Sequence, residues 1–286
     1  MITKTTLLPG LLAAFFLIVS CEDSPKKQQP VAEQTEEIQD QLPEYNPEQP
    51  KTVLAHVASA QGGWDDLWNK KDVEFSYDYR YPDGTADVSL ERYIFDTEAS
   101  YAKYSQNDIN AMPGTDGTVE QYFDGEKAMA MVNGEKIDDP AATGGSDFLR
   151  RANYFWFVMP YKLSDDATKL KYMGQETYNE VAYDKIEVTY DSEATGKPQN
   201  DSYILYVNPD TKLIDRFFFS LPAMGMNVPA IAANYEYEEI EGQMVSAHRK
   251  YFMPDENGEY GDVPSIVQTL TNVKFDNGFT NENIMK

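Results

Sequence analysis

One stretch limits how this chain can fold. From Phe148 to Leu163 it reads Phe-Leu-Arg-Arg-Ala-Asn-Tyr-Phe-Trp-Phe-Val-Met-Pro-Tyr-Lys-Leu, and Tyr154 to Met159 leave no polar face. A segment that is apolar all round has to be covered on every side. Nearly everything else in the chain reads as strands separated by turn residues. The expectation is a mainly β (α+β) fold. One large curved antiparallel sheet would form a half-barrel, with an N-terminal helix and Phe148–Leu163 as a helical plug on its concave face.

The strand signal is a period of two. Val73, Phe75, Tyr77, Tyr79 and Tyr81 alternate with Glu74, Ser76, Asp78 and Arg80, which predicts a half-buried strand. Pro82-Asp83-Gly84 is a turn, and Ala86 to Phe95 runs back. Hairpins are expected around Asp124-Gly125-Glu126, Asn208-Pro209-Asp210 and Glu241-Gly242-Gln243, with a last strand from Ile266 to Phe275. Lys51 to Asn69 has helical spacing interrupted by Gly62-Gly63. Ala141 to Gly145 reads as a small-residue loop, with Ser146 or Asp147 capping the plug and Pro160 ending or bending it. No βαβ rhythm and no fixed-period repeat occurs.

The first twenty residues read as a lipoprotein signal peptide. Lys4 precedes a short apolar core, and Ile18-Val19-Ser20-Cys21 ends it like a bacterial lipobox. Cleavage before Cys21 would make that residue the acylated N-terminus. Residues 21–50 then form a tether, with five prolines and eight acids against two lysines, and 51–286 form the folded domain. Cys21 is the only cysteine, so the chain has no internal disulfide, cysteine zinc site or redox pair. The net charge of −24, with no Lys/Arg run longer than two, argues against nucleic acid and against docking to anionic lipid headgroups. Membrane attachment would come from the Cys21 lipid.

This order of lipobox, N-terminal helix, long meander and mid-chain plug resembles the outer-membrane lipoprotein carrier and receptor proteins (LolA/LolB-like). It is closer still to uncharacterised bacterial lipoproteins related to them. The likeness is carried by Phe148–Leu163 with Met-Pro-Tyr-Lys-Leu at its end, by Lys171-Tyr172-Met173-Gly174 through Tyr183–Val188, and by the hairpin Tyr203–Phe219. It implies an incomplete β-barrel closed by helices, with an apolar cavity for acyl chains. The lipobox departs from the carrier and is similar to the receptor. In that receptor a protruding apolar loop touches membrane, and Leu221 to Ile231 is the analogous segment here.

No catalytic signature occurs. His56 and His248 have no partner at metal-ligand spacing, and there is neither a Gly-x-Ser-x-Gly elbow nor a phosphate loop. Asp255 to Glu259 reads as a hairpin turn, since it lacks the ligand spacing of a calcium loop. The expected function is a non-enzymatic, monomeric envelope protein without cofactor that binds a hydrophobic ligand or a lipidated protein. Expected wall residues are Phe75, Tyr77, Tyr79, Phe155, Trp156 and Met159, with Ile186, Val188, Phe217 and Phe219 opposite. Trp64 and Trp68 would either line the site or anchor their helix. Met224 and Met226 would form an adaptable lip over a pocket, or their segment would fold back into the core. A structural interaction module and a glycan or peptide hydrolase are the competing readings. In a bacterial host, Cys21→Ser is expected to abolish incorporation of labelled palmitate and leave an uncleaved precursor. Labelling equal to wild type would remove the anchor.

Overall fold

The computed structural model describes residues 42–163, 167–196, 199–222 and 225–286. Cys21, the leader, most of the tether and Met224 lie outside the described residues. The compact body begins at Leu42, not at residue 51. Tyr45 explains the difference: its ring packs on the core and its hydroxyl donates to Asp184 at 2.7 Å.

Two helices lead in, α1 (Pro50–Ala60) and α2 (Trp64–Asn69). Six strands follow: β1 (Asp72–Arg80), β2 (Ala86–Ile94), β3 (Ser100–Asn107), β4 (Val119–Phe123), β5 (Ala128–Val132) and β6 (Glu135–Lys136). Then comes the central helix α3 (Pro140–Lys162). The second set is β7 (Thr168–Tyr178), β8 (Val181–Tyr190), the short α4 (Ser192–Thr195), β9 (Tyr203–Val207), β10 (Ile214–Leu221), β11 (Met226–Ile240), β12 (Gln243–Phe252) and β13 (Ile266–Phe275).

The described strands form one 13-stranded antiparallel sheet in the order β6-β5-β4-β3-β2-β1-β13-β12-β11-β10-β9-β8-β7. It is an open sheet, with β6 and β7 at its edges. Two meanders are therefore sewn together where the first strand pairs the last, Val73 opposite Phe275 and Tyr77 opposite Leu270. Turn chemistry sets the registers. Asn133 and Gly134, for example, both take positive φ (54° and 80°), the conformation that a two-residue hairpin needs.

The core lies in two main clusters on the concave face. One gathers Val53 and Leu54 of α1 with Ile186, Val188, Leu205, Phe217 and Phe219. The other gathers Leu67, Val73, Phe75, Tyr93, Phe95 and Phe275. Helix α3 belongs to both. Met159 sits in the first, with Phe155 and Trp156 packed against it, while Tyr154, Phe157, Val158 and Tyr161 sit in the second. The absence of a polar face is thereby explained, because the helix is a wedge between two halves of one sheet. Phe157 stacks on Phe75 of β1 (5.4 Å between centroids), and its neighbour Trp156 stacks on Phe217 of β10 (5.9 Å). In a flat sheet those strands stand roughly 19 Å apart. A helix about 10–12 Å across spans that interval once the two stacking distances are added, so one helix reaches both halves.

Two expectations need correction. The segment Ala141–Gly145 is helical, since Asp139 caps the helix and accepts from the N–H groups of Ala141 and Ala142, and Pro140 occupies the first turn. Pro160 lies inside the helix, two residues before its end. The segment Leu221–Ile231 is also mostly strand. β11 starts at Met226, which pairs with Leu221, so the connection is only four residues long. Val228 remains 65% exposed, while Met226 packs against the first cluster.

Truncating the wedge tests its structural weight. Phe157→Ala removes a ring held by Phe75, Tyr93 and Phe95 and is expected to lower stability by about 3–5 kcal/mol in urea unfolding. A loss below about 1 kcal/mol would mean that the sheet does not depend on the helix.

Candidate functional site

The concave face under α3 has two chemically different parts. Its apolar part is an aromatic wall. The Trp156 ring meets Phe219 edge-on at 5.0 Å and lies near Tyr203 at 6.4 Å, in addition to its stack on Phe217. Phe155 lies 6.2 Å from Tyr203. Met159, Ile186, Val188 and Phe217 are fully buried behind these rings. Phe155 and Trp156 are only partly buried, so this end of the wedge meets solvent. The expected wall residues Phe155, Trp156, Met159, Ile186, Val188, Phe217 and Phe219 thus come together.

The others lie elsewhere. Trp64 and Trp68 stack on each other at 4.0 Å, and beyond them lie Tyr161 and Phe95. They clamp α2 on the second cluster, away from the Trp156 wall. Phe75 and Tyr77 also belong to that cluster, and Tyr79 packs at its margin.

The second part of the concave face is polar, and sequence reasoning missed it. On β2 the inward residues are Asp87, Ser89, Glu91 and Tyr93, opposite Tyr79, Tyr77, Phe75 and Val73 of β1. Glu91 and Arg150 of α3 are both fully buried. The guanidinium grips the carboxylate with two hydrogen bonds, Nη1 to Oε2 at 2.5 Å and Nη2 to Oε1 at 3.1 Å. Nε donates to Gln121 and Nη2 to the Tyr104 hydroxyl, while Ser89 and Tyr93 donate to Glu91. Burial pulls the Arg150 pKa down, but the adjoining carboxylate more than reverses this, and the net direction is up. Burial also raises Tyr93 and Tyr104, so both remain protonated donors. The visible signal was the hairpin register. Once Phe75, Tyr77 and Tyr79 face inward, their cross-strand partners must do the same.

A second buried arginine stands at the seam. Arg249 of β12 is 2% exposed. It lies in register with Gln268 of β13 and Tyr235 of β11. Its Nε donates to the carbonyl and hydroxyl oxygens of Ser246, and its guanidinium lies 5.2 Å from the Tyr235 ring centre. Nη2 is buried without a hydrogen-bond partner.

Two small cavities flank α3. One, of 30 Å³, is lined by Tyr77, Tyr79, Asp87, Tyr104, Asn110, Leu149 and Asn153. The other, of 10 Å³, lies among Gln61, Leu67, Phe157, Tyr161, Gln243 and Phe275. Each has room for about one or two waters, far less than an alkyl chain needs. His56 and His248 sit apart, bonded to the Pro43 carbonyl and to Glu238. Asp255 closes its hairpin by accepting from the N–H groups of Asn257 and Glu259. Among the described residues no group of three or more acids and histidines could hold a metal, and no helix is long and apolar enough to cross a membrane.

This architecture is shared. The chain is similar to a domain from Vibrio parahaemolyticus assigned as an outer membrane lipoprotein-sorting protein, with a TM-score of 0.50 and 9% identity, covering 84% of this chain and 97% of that one. The two chains share a fold. Weaker likenesses extend to a LolA superfamily protein from Nitrosomonas europaea (TM-score 0.44, 11% identity, 78% and 97% covered). A DUF1329 family protein from Desulfovibrio piger gives a TM-score of 0.43 at 12% identity, with 84% and 98% covered. Residues 127–231 match a family of unknown function, DUF6503. That match runs from the start of β5 into β11 and contains the whole of α3. No curated protein matches the sequence.

The Glu91–Arg150 pair joins the central helix to the sheet. Arg150→Met alone leaves Glu91 as an unpaired buried charge and is expected to cost about 3–5 kcal/mol in urea unfolding. Glu91→Leu combined with Arg150→Met should be milder than either single change. A double variant as damaged as the sum of the singles would show that the two residues act independently.

Proposed function

We propose that this protein is a lipid-anchored envelope protein that binds a hydrophobic ligand, an acyl chain or the lipid of a lipoprotein, against the aromatic wall under α3. One observation carries the reading. The last turns of α3 are a wholly apolar wedge, held against Trp156's ring partners and wet at Phe155 and Trp156. A small shift of that wedge would part Trp156 from the rings of Phe217, Phe219 and Tyr203, and an alkyl chain can re-cover both sides of the gap. Each methylene so buried contributes about 0.8 kcal/mol. The fold likeness supports a role in lipoprotein or lipid handling. The lipobox at Cys21 supports attachment to a membrane, the outer one in the resemblance to the receptor. The mechanism is reversible burial, with no chemistry required of the site.

A second reading has an observation of its own. Both cavities are water-sized, which favours an interaction module with a filled core. Mass spectrometry of the full-length protein, extracted from membranes and washed of loosely held lipid, separates the two. The binding reading expects a non-covalent acyl species to be retained in addition to the Cys21 lipid. Trp156→Ala should weaken its retention roughly tenfold, equivalent to about 1.4 kcal/mol. Trp64→Ala, on the other cluster, should leave retention unchanged. A protein that holds nothing beyond its anchor would favour the filled-core module.

A further inference from the structure

Arg249 has no counterion. Among the described residues no carboxylate forms an ion pair with it, although the same interior gives Arg150 a bidentate one. A buried guanidinium stays charged, and an uncompensated buried charge costs several kcal/mol. Folded chains seldom keep one unless something answers it. Tyr235 and Tyr251 flank the group from the first cluster, their hydroxyls 3.1 Å apart. Tyr77 and Tyr93 belong to the second, so the charge stands at the junction of the two halves. Burial works against its ionisation and the tyrosine oxygens favour it, leaving the pKa raised.

The position matters as much as the charge. Trp156 meets Phe219 at 5.0 Å, Phe219 meets Tyr251 at 6.1 Å, and Tyr251 lies beside Tyr235, the ring under the guanidinium. A line of rings thus connects the solvent-facing end of the wedge with a cation whose Nη2 has a donor to spare.

From this we infer that the ligand is an anionic amphiphile, a fatty carboxylate or a single-chain phospholipid, whose head group pairs with Arg249 while its alkyl chain lies along Phe219 and Trp156. This deepens the hydrophobic-ligand reading and rests on it. It separates the ligand from a neutral glyceride or a glyceride-linked chain, which offers a guanidinium ester oxygens but no counter-charge.

The test uses full-length protein in phosphatidylcholine nanodiscs and reads quenching of tryptophan fluorescence against empty discs. The probes are doxyl-stearate and its methyl ester, which share a chain and differ in charge. Wild type is expected to bind the acid at least tenfold tighter than the ester. Arg249→Met should bring the acid down to the level of the ester, and Arg249→Lys should keep most of the preference. Because Met replaces an unanswered charge, the ligand-free variant is expected to melt no lower than wild type. That separates a lost site from a lost fold. Displacement of the bound acid by lysophosphatidylglycerol would extend the site to phospholipids, and failure to displace it would confine the site to carboxylates. Equal affinity for acid and ester, or a preference that survives Arg249→Met, overturns the anionic head group and leaves the hydrophobic-ligand reading standing. A change in tryptophan fluorescence on adding inorganic phosphate, lost in Arg249→Met, with neither stearate probe bound, keeps an anion at Arg249 but overturns the amphiphile. Silence from every probe overturns both readings.

Discussion

The fold depends on one helix that has contacts to make in two directions. Trp156 and Phe157 are neighbours in sequence, yet one stacks on β10 and the other on β1. The sheet is two meanders, and its only ladder between them is the β1–β13 pairing, which carries an irregularity between Glu74 and Ser76. A ladder alone would leave a broad aromatic surface facing water on the concave side, the kind of patch that drives aggregation. Helix α3 covers that surface and bends it at the same time. Its proline fits this duty. Pro160 cannot donate to the Trp156 carbonyl, but it stands two residues from the end, where one lost bond is tolerable and full burial of the ring offsets it.

Much of this was legible in the sequence because local and global signals agree there. β1 alternates over most of its length, with Val73, Phe75 and Tyr77 buried and Tyr79 half-buried at its far end. The turn residues after β1, β9 and β11 mark real hairpins. The all-apolar run had to be covered, and it is, except where Phe155 and Trp156 stay half-buried. The errors fall where tertiary contacts override propensity. Gly144 and Gly145 are poor helix formers, yet they stay helical between the Asp139 cap and Ser146, which donates to the Met129 carbonyl of β5. The stretch after Leu221 looked like an exposed apolar loop because its glycine and prolines masked a strand. That strand is long, and Pro229 lies in the part of it that precedes the regular pairing with β12.

The candidate site was half legible for a related reason. Aromatic residues at period two announce a wall, so the rings around Trp156 could be named. Glu91, Arg150 and Arg249 could not, because charges in amphipathic segments are ordinarily placed on the wet face. On α3 the buried stripe runs Ala142, Ser146, Arg150, Tyr154, Val158 at a spacing of four. Its polar members are Ser146, which donates to the Met129 carbonyl, and Arg150, whose charge the opposing Glu91 answers.

Of the buried arginines, Arg150 and Arg249 differ in how the interior answers their charge. Arg150 is satisfied by its own chain, and its hydrogen bonds fix the helix on the sheet. Arg249 is held by Ser246 and aromatic rings, an arrangement that positions a guanidinium without neutralising it. The surrounding charge then decides which anions can reach it. A chain with a net charge of −24 repels small anions from its surface, although salt screens that repulsion beyond about 8–10 Å. A free phosphate would have to cross this field and shed its water with no apolar gain. An anion carried on an alkyl chain has the burial of its methylenes to offset both costs. An acidic exterior over an unpaired interior cation therefore favours amphiphiles over free anions, and it does so without any base or acid acting on the ligand.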